Sequence, residues 1–93
     1  MDIRHEPEKR RFVAEVEGSE AVLEYVERGD QALDYRHTFT PPALRGRGIA
    51  KDLVLFALDY ARNSRIKVVP TCPYVAKVMR ENPAYEALAA QPD

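Results

Sequence analysis

The chain predicts an α+β fold: one sheet opened by a three-stranded antiparallel meander, a main helix crossing one face, a further strand, and C-terminal helical turns. Three observations carry this. Between positions 10 and 40, alternating runs are separated by tight turns around glycine. Between 47 and 63 the apolar spacing changes to that of a helix. "IKVVP" then follows, a short and nearly all-apolar run closed by proline.

The elements follow in order. In the first strand Phe12, Ala14 and Val16 alternate with Arg11, Val13 and Glu15, and "EGSE" turns the chain. Ala21, Leu23 and Tyr25 then alternate with Val22, Glu24 and Val26, before a second turn at "ERGD". Leu33, Tyr35, His37 and Phe39 share one face of the third strand, and Asp34, Arg36, Thr38 and Thr40 the other. Short loops imply an antiparallel meander, and Pro41 and Pro42 end it. In the helix, Ile49, Leu53, Phe56 and Tyr60 form one stripe, and Ala50, Val54, Ala57 and Ala61 its neighbour. Lys51, Asp52, Asp59 and Arg62 lie opposite. So wide an apolar face suits a helix laid flat on a sheet. After "IKVVP", Pro73 opens a second helix, "YVAKVMREN", and Pro83 a last short turn, "AYEALAA". The start of the chain, with His5, is expected to be mobile, and the tail "QPD" frayed. The expected order is β-β-β-α-β-α.

Composition bounds the function. Ninety-three residues, 45% hydrophobic and 31% charged, read as one globular domain with its core over about residues 10–88. The net charge of −1 supplies no strong field for nucleic acid or membrane. The longest apolar run, "LVLFAL", is far too short to span a bilayer, and the N-terminus has no apolar signal core. A single cysteine excludes an internal disulfide framework and fits a reducing, cytosolic compartment. No His, Cys, Asp and Glu cluster has metal-ligand spacing.

"RGRGIA", residues 45–50, opens the main helix on two glycines. A helix start offers free N–H groups and partial positive charge, and glycine admits a ligand close to the backbone. Phosphate or pyrophosphate is the natural guest, with Arg45, Arg47 and Lys51 adding charge. A tight turn with incidental arginines is the plainer reading. A P-loop is excluded because no Gly-Lys-Ser/Thr follows, and a dinucleotide turn because Lys51 stands where Gly or Ala is required.

Arg45, Gly48 and Ala50 match Q/R-x-x-G-x-G/A, the acyl-coenzyme A signature of the GNAT N-acetyltransferase superfamily. With "HTFT" before it and "PTCPY" and "NPAY" after it, the chain resembles the small single-domain branch of that superfamily over nearly its whole length. The resemblance implies a reduced GNAT fold, in which the strand after the main helix runs parallel to the third strand and splays from it. It implies acetyl-CoA as cofactor, with the pantetheine arm along Thr38, Phe39 and Thr40 and the pyrophosphate on the amides of Gly46, Arg47, Gly48, Ile49 and Ala50. It also implies an amine acceptor whose identity the sequence does not give. The chain lacks the N-terminal helices and C-terminal strand pair that wall the acceptor site in larger members.

Acetyl transfer to an amine needs a neutral nucleophile, donors for an oxyanion and an acid for the departing thiolate. Cys72 lies between a strand and a helix start, where a thiol gains acidity; packing against the pantetheine is its other reading. His37 lies on the strand expected to line the cofactor, and as a core histidine it would have no chemistry. Tyr74 on the following helix is the third candidate, because larger relatives place a tyrosine acid there. Two classes of function stay open: a small acetyl-CoA-dependent N-acetyltransferase, and a non-catalytic CoA-binding or protein-interaction module.

Overall fold

The computed structural model describes residues 1–90, so the expectation for the tail at 91–93 lies outside the described residues. Five strands form one sheet: β1 (Asp2–Glu6), β2 (Arg11–Val16), β3 (Ser19–Arg28), β4 (Ala32–Phe39) and β5 (Lys67–Val69), in that order across it. Helix α1 (Ile49–Asn63) joins β4 to β5, and α2 (Pro73–Glu81) follows β5. Three short 3-10 turns, each opened by proline, fill Pro7–Lys9, Pro42–Leu44 and Pro83–Leu88. β1 to β4 are antiparallel, as the short loops predict, and β4 to β5 parallel, as the family resemblance implies.

One face of the sheet carries the core. Phe12, Leu23 and Tyr35 from the strands meet Leu53, Val54, Ala57 and Leu58 of α1, all almost wholly buried. Val75, Val78 and Met79 of α2 and Tyr85 and Leu88 of the last turn complete the same cluster. Tyr35 donates its hydroxyl to the Ala57 carbonyl at 2.7 Å, fastening α1 to β4 from inside the core. Burial raises the Tyr35 phenol far above its ordinary pKa, so it remains a donor. At the other end of α1, Tyr85 donates to Asp59 at 2.6 Å beneath the Arg62 guanidinium.

Three expectations are corrected. The first concerns α1: Phe56 is 37% exposed, while Leu58 is fully buried. The sheet takes the stripe centred on Val54, Ala57, Leu58 and Ala61, and Phe56 at its margin meets Phe12 edge-on at 6.2 Å. The second concerns the start of the chain, which forms strand β1. Ile3 and His5 alternate with Asp2, Arg4 and Glu6, and charge conceals this period. Arg4 pairs with Asp2, Glu6, Glu15 and Glu20, and Arg11 with Glu6, so strand pairing and an ion web hold the edge together. His5 stacks on Phe12 at 4.4 Å, and its Nε2 lies 2.7 Å from the Tyr25 hydroxyl.

The third correction concerns β4. Tyr25 pairs with Tyr35 and Glu24 with His37, so Arg36 is an extra residue, a β-bulge. Beyond it the alternation inverts. Thr38, opposite Leu23, takes the core side, and His37 and Phe39 swing to the far face, where both are exposed. His37 is therefore neither a core histidine nor on the face of Leu33 and Tyr35.

The parallel pairing is short. Ala32, Leu33 and Asp34 match Lys67, Val68 and Val69, and after them the strands part. Outside β5, Ala89 makes a single parallel bridge to Val68, and the Ala90 N–H reaches the Val68 carbonyl at 2.8 Å. Among the described residues no helix is long and apolar enough to cross a membrane.

Two outcomes follow from this packing. Leu58→Ala should cost about 2–5 kcal/mol in urea unfolding, and Phe56→Ala distinctly less; equal losses would refute the burial pattern. Burial depresses the His5 pKa, against a weaker opposing pull from Glu8. Its neutral form is thus favoured by folding, and its contribution is complete above about 6.5 and fades as pH falls through that value. His5→Gln should flatten that part of the stability profile. The later loss in the carboxylate range should remain, because Arg11 holds the Glu6 carboxyl low.

Candidate functional site

The site begins where β4 ends. Pro42–Leu44 is a single 3-10 turn whose buried Leu44 anchors the loop to the core. Arg45 Nε then donates to the Thr40 carbonyl at 3.0 Å, tying the signature loop to the end of β4. Gly46 and Gly48 both adopt φ +76°, the left-handed region that disfavours other residues. Gly48 is the N-cap of α1, and among the described residues nothing beyond its local backbone lies within 4 Å of where its Cβ would be. The glycines thus make the turn possible and leave the space beside the backbone open.

Asp52 N–H makes the first turn's bond, to the Gly48 carbonyl at 3.1 Å. The amides before it in α1 have no intrahelical acceptor and face outward with the partial positive charge of the helix. They border a groove of about 280 Å³ lined by Thr40, Gly46, Gly48, Lys51 and, from α2, Tyr74. Burial raises the Tyr74 phenol above its ordinary pKa, and the charges of Glu81 and Asp52 add to it, so it stays protonated near neutrality.

The other end of the site is the point where β4 and β5 part. The Cys72 N–H donates to the Tyr35 carbonyl at 2.9 Å, the last main-chain link between the two sides. Cys72 is 5% exposed, caps α2, and places its Sγ 3.6 Å from Thr38 Oγ1. Beyond that link, the β5-side edge of β4 has no strand neighbour among the described residues. The result is a V between β4 and the start of α2, with Cys72 and Thr38 at its apex and the glycine loop at its mouth.

The structure gathers Thr40, Arg45, Gly46, Gly48, Ile49, Ala50, Lys51 and Tyr74 around one groove, and Thr38 with Cys72 at the apex. Ile49 also points into the core and is 5% exposed. Three predicted residues stand apart. Arg47 reaches across to Glu17 at 2.8 Å, and His37 and Phe39 lie on the opposite face because of the bulge. One residue escaped the sequence reading. Asp34 is 4% exposed, holds Arg28 at a long 3.5 Å through Oδ2, and among the described residues its buried Oδ1 has no donor. Its alternation with Leu33 and Tyr35 was visible, but a single Asp among polar neighbours gave no sign of burial.

Comparison with known proteins agrees with this fold. Residues 11–88 match the sequence profile of the GCN5-related N-acetyl-transferase family. Protein NATD1 of Gallus gallus is 39% identical over 85 residues, covering 89% of this chain and 77% of that protein. Protein NATD1 of Mus musculus is 40% identical over 83 residues, covering 87% and 76%. The solution structure of a GCN5-like protein from Staphylococcus aureus superposes with a TM-score of 0.68 at 17% identity, over 99% of this chain and 90% of that one. At that identity the likeness concerns the fold.

Gly48→Ala isolates the backbone cost at the loop. The added methyl meets open space, so the left-handed φ alone should lower stability by about 1–2 kcal/mol in urea unfolding. No loss would mean that the loop does not need glycine there.

Proposed function

The chain belongs to the GCN5-related N-acetyltransferase family, and from that premise we propose that it binds acetyl-CoA in the V and transfers the acetyl group to an amine. One observation carries the reading. An open backbone cradle at Gly46 and Gly48 continues, through Thr40 and Tyr74, toward an apex that holds a buried thiol.

The residues fit the cofactor by chemistry. Unbonded amides at the start of α1 suit a pyrophosphate, and Lys51 and Arg45 supply charge beside them. The free edge of β4 offers main-chain groups to an amide-bearing arm. Bound acetyl-CoA supplies an acetyl carbon already activated as a thioester. Around that position the chain offers Thr38 and Cys72 at the apex and the Tyr74 phenol in the adjoining groove. A protonated phenol can hand a proton to a departing thiolate, and we assign Tyr74 that role. Cys72 either packs against the sulfur or accepts the acetyl group on its thiol. His37, turned to the far face, has no contact with this apex that would support a proton-transfer role.

Gly48→Glu puts a carboxylate where phosphate would sit. Calorimetric titration should detect acetyl-CoA binding to the wild type and at least about a hundredfold weaker binding to the variant. Cys72→Ala, far from the phosphates, should bind within a few fold of wild type. Equal affinity for wild type and Gly48→Glu would overturn the assignment.

A further inference from the structure

We propose that the protein has a second binding site, for a small cation bearing a trimethylammonium group, in the cavity between β1, the β3–β4 turn and the end of α1. This cavity of about 200 Å³ is lined by His5, Tyr25 and Tyr60. Tyr60 stands near the opposite end of α1 from Gly48, roughly 18 Å away at about 1.5 Å per residue. The site is therefore separate from the glycine cradle, and the proposal does not rest on the acetyltransfer reading.

The walls are aromatic. His5 touches both tyrosines, with ring centroids 4.5 Å from Tyr60 and 5.7 Å from Tyr25. Its Nε2 is hydrogen-bonded to the Tyr25 hydroxyl at 2.7 Å. Phe12 stacks on the imidazole at 4.4 Å from the core side and fixes its plane. Burial lowers the His5 pKa, so the ring is neutral near neutral pH and sets no charge against a cation. Leu33 and Ile66 add hydrocarbon. Glu27 and Asp30, both exposed, bring carboxylates to the rim, and no lysine or arginine lines the cavity. Glu27 is shared with Arg10 at 3.0 Å, while Asp30 joins no ion pair among the described residues.

That combination selects one class of ligand. Electron-rich ring faces and carboxylates attract positive charge, and they repel phosphate and carboxylate ligands. A metal ion asks for a cluster of ligating side chains, and among the described residues no group of three His, Cys, Asp or Glu is placed to hold one. A primary ammonium is strongly hydrated and needs an acceptor for each of its N–H groups, whereas the lining here is mostly ring and hydrocarbon. A trimethylammonium group spreads its charge over methyls, needs no hydrogen bonds, and is held by ring faces. The small volume suits one such group with a short stem.

The test is an NMR titration of the full chain with choline, against its neutral carbon isostere dimethylbutanol, which has the same shape without the charge. Choline should give saturable shifts at His5, Tyr25, Asp30 and Tyr60, and the alcohol should bind at least about tenfold more weakly. Tyr60→Leu should weaken choline by about tenfold, and Asp30→Asn by about threefold. Asp30 is exposed, so its variant keeps the fold and decides the matter even where Tyr60→Leu disturbs packing. A blocked peptide carrying one trimethyllysine distinguishes the source of the group. Tighter binding than choline at the same residues assigns it to a modified protein, and weaker binding to a free metabolite. Equal binding of choline and the alcohol, no saturable shift at these residues, or unchanged choline affinity in Asp30→Asn would overturn the proposal.

Discussion

Everything in the site hangs from Tyr35. Its hydroxyl donates to the carbonyl of Ala57 in the middle of α1, and its own carbonyl accepts the amide of Cys72 at the start of α2. One residue thus sets the height of the main helix above the sheet and the point at which the second helix leaves it. Neither bond is exposed to water, and a buried polar group left unpaired costs more than a pair contributes, so the geometry is over-determined. The head of α2 and the middle of α1 are held in mutual register because both are bonded to the same residue, one through its main-chain carbonyl and the other through its hydroxyl.

The bulge at Arg36 lies directly beyond that fixed point, and its position explains the form of the V. Up to Tyr35, β4 is bonded on both sides. After Arg36 it keeps β3 but loses β5, so its other edge is free to receive main-chain partners. The inversion of faces turns Thr38 toward Cys72 and sends Phe39 outward. A regular strand would have placed His37 against the core and Thr38 away from the cleft. The extra residue therefore chooses which side chains line the free edge.

What the sequence disclosed follows the same division. The meander and α1 were legible because long runs repeat one period, β5 and α2 because prolines bound short apolar runs, and the parallel placement of β5 was what the family resemblance implied. The turn at the head of α1 was legible because two glycines at a helix start suit left-handed backbone, and both have positive φ. The faces beyond Tyr35 were not, since a bulge leaves no mark in a pattern of period two and shows only in the register with β3. β1 was hidden by its charges: Arg4 and Glu6 looked like a solvated tail, yet their partners Glu15, Glu20 and Arg11 lie on the next two strands. Asp34 was hidden for a related reason, because its burial comes from neighbours on β3 and β5 that no local window contains.

The two faces of the sheet solve one problem differently. The α1 side is closed by hydrocarbon. The far side carries Val13, which is fully buried although it stands outside the main core cluster. Its cross-strand partners are Arg4 and Val22, and the charges meeting at Arg4 cover it. Such a web keeps a bare sheet soluble and gives its edge strand nothing apolar to offer another chain. It also stops short. Where β3 meets β4, Val26 and Phe39 are uncovered, and among the described residues one oxygen of Asp34 has no donor. The same economy of charge that screens the β1 side is withheld beside the apex of the V.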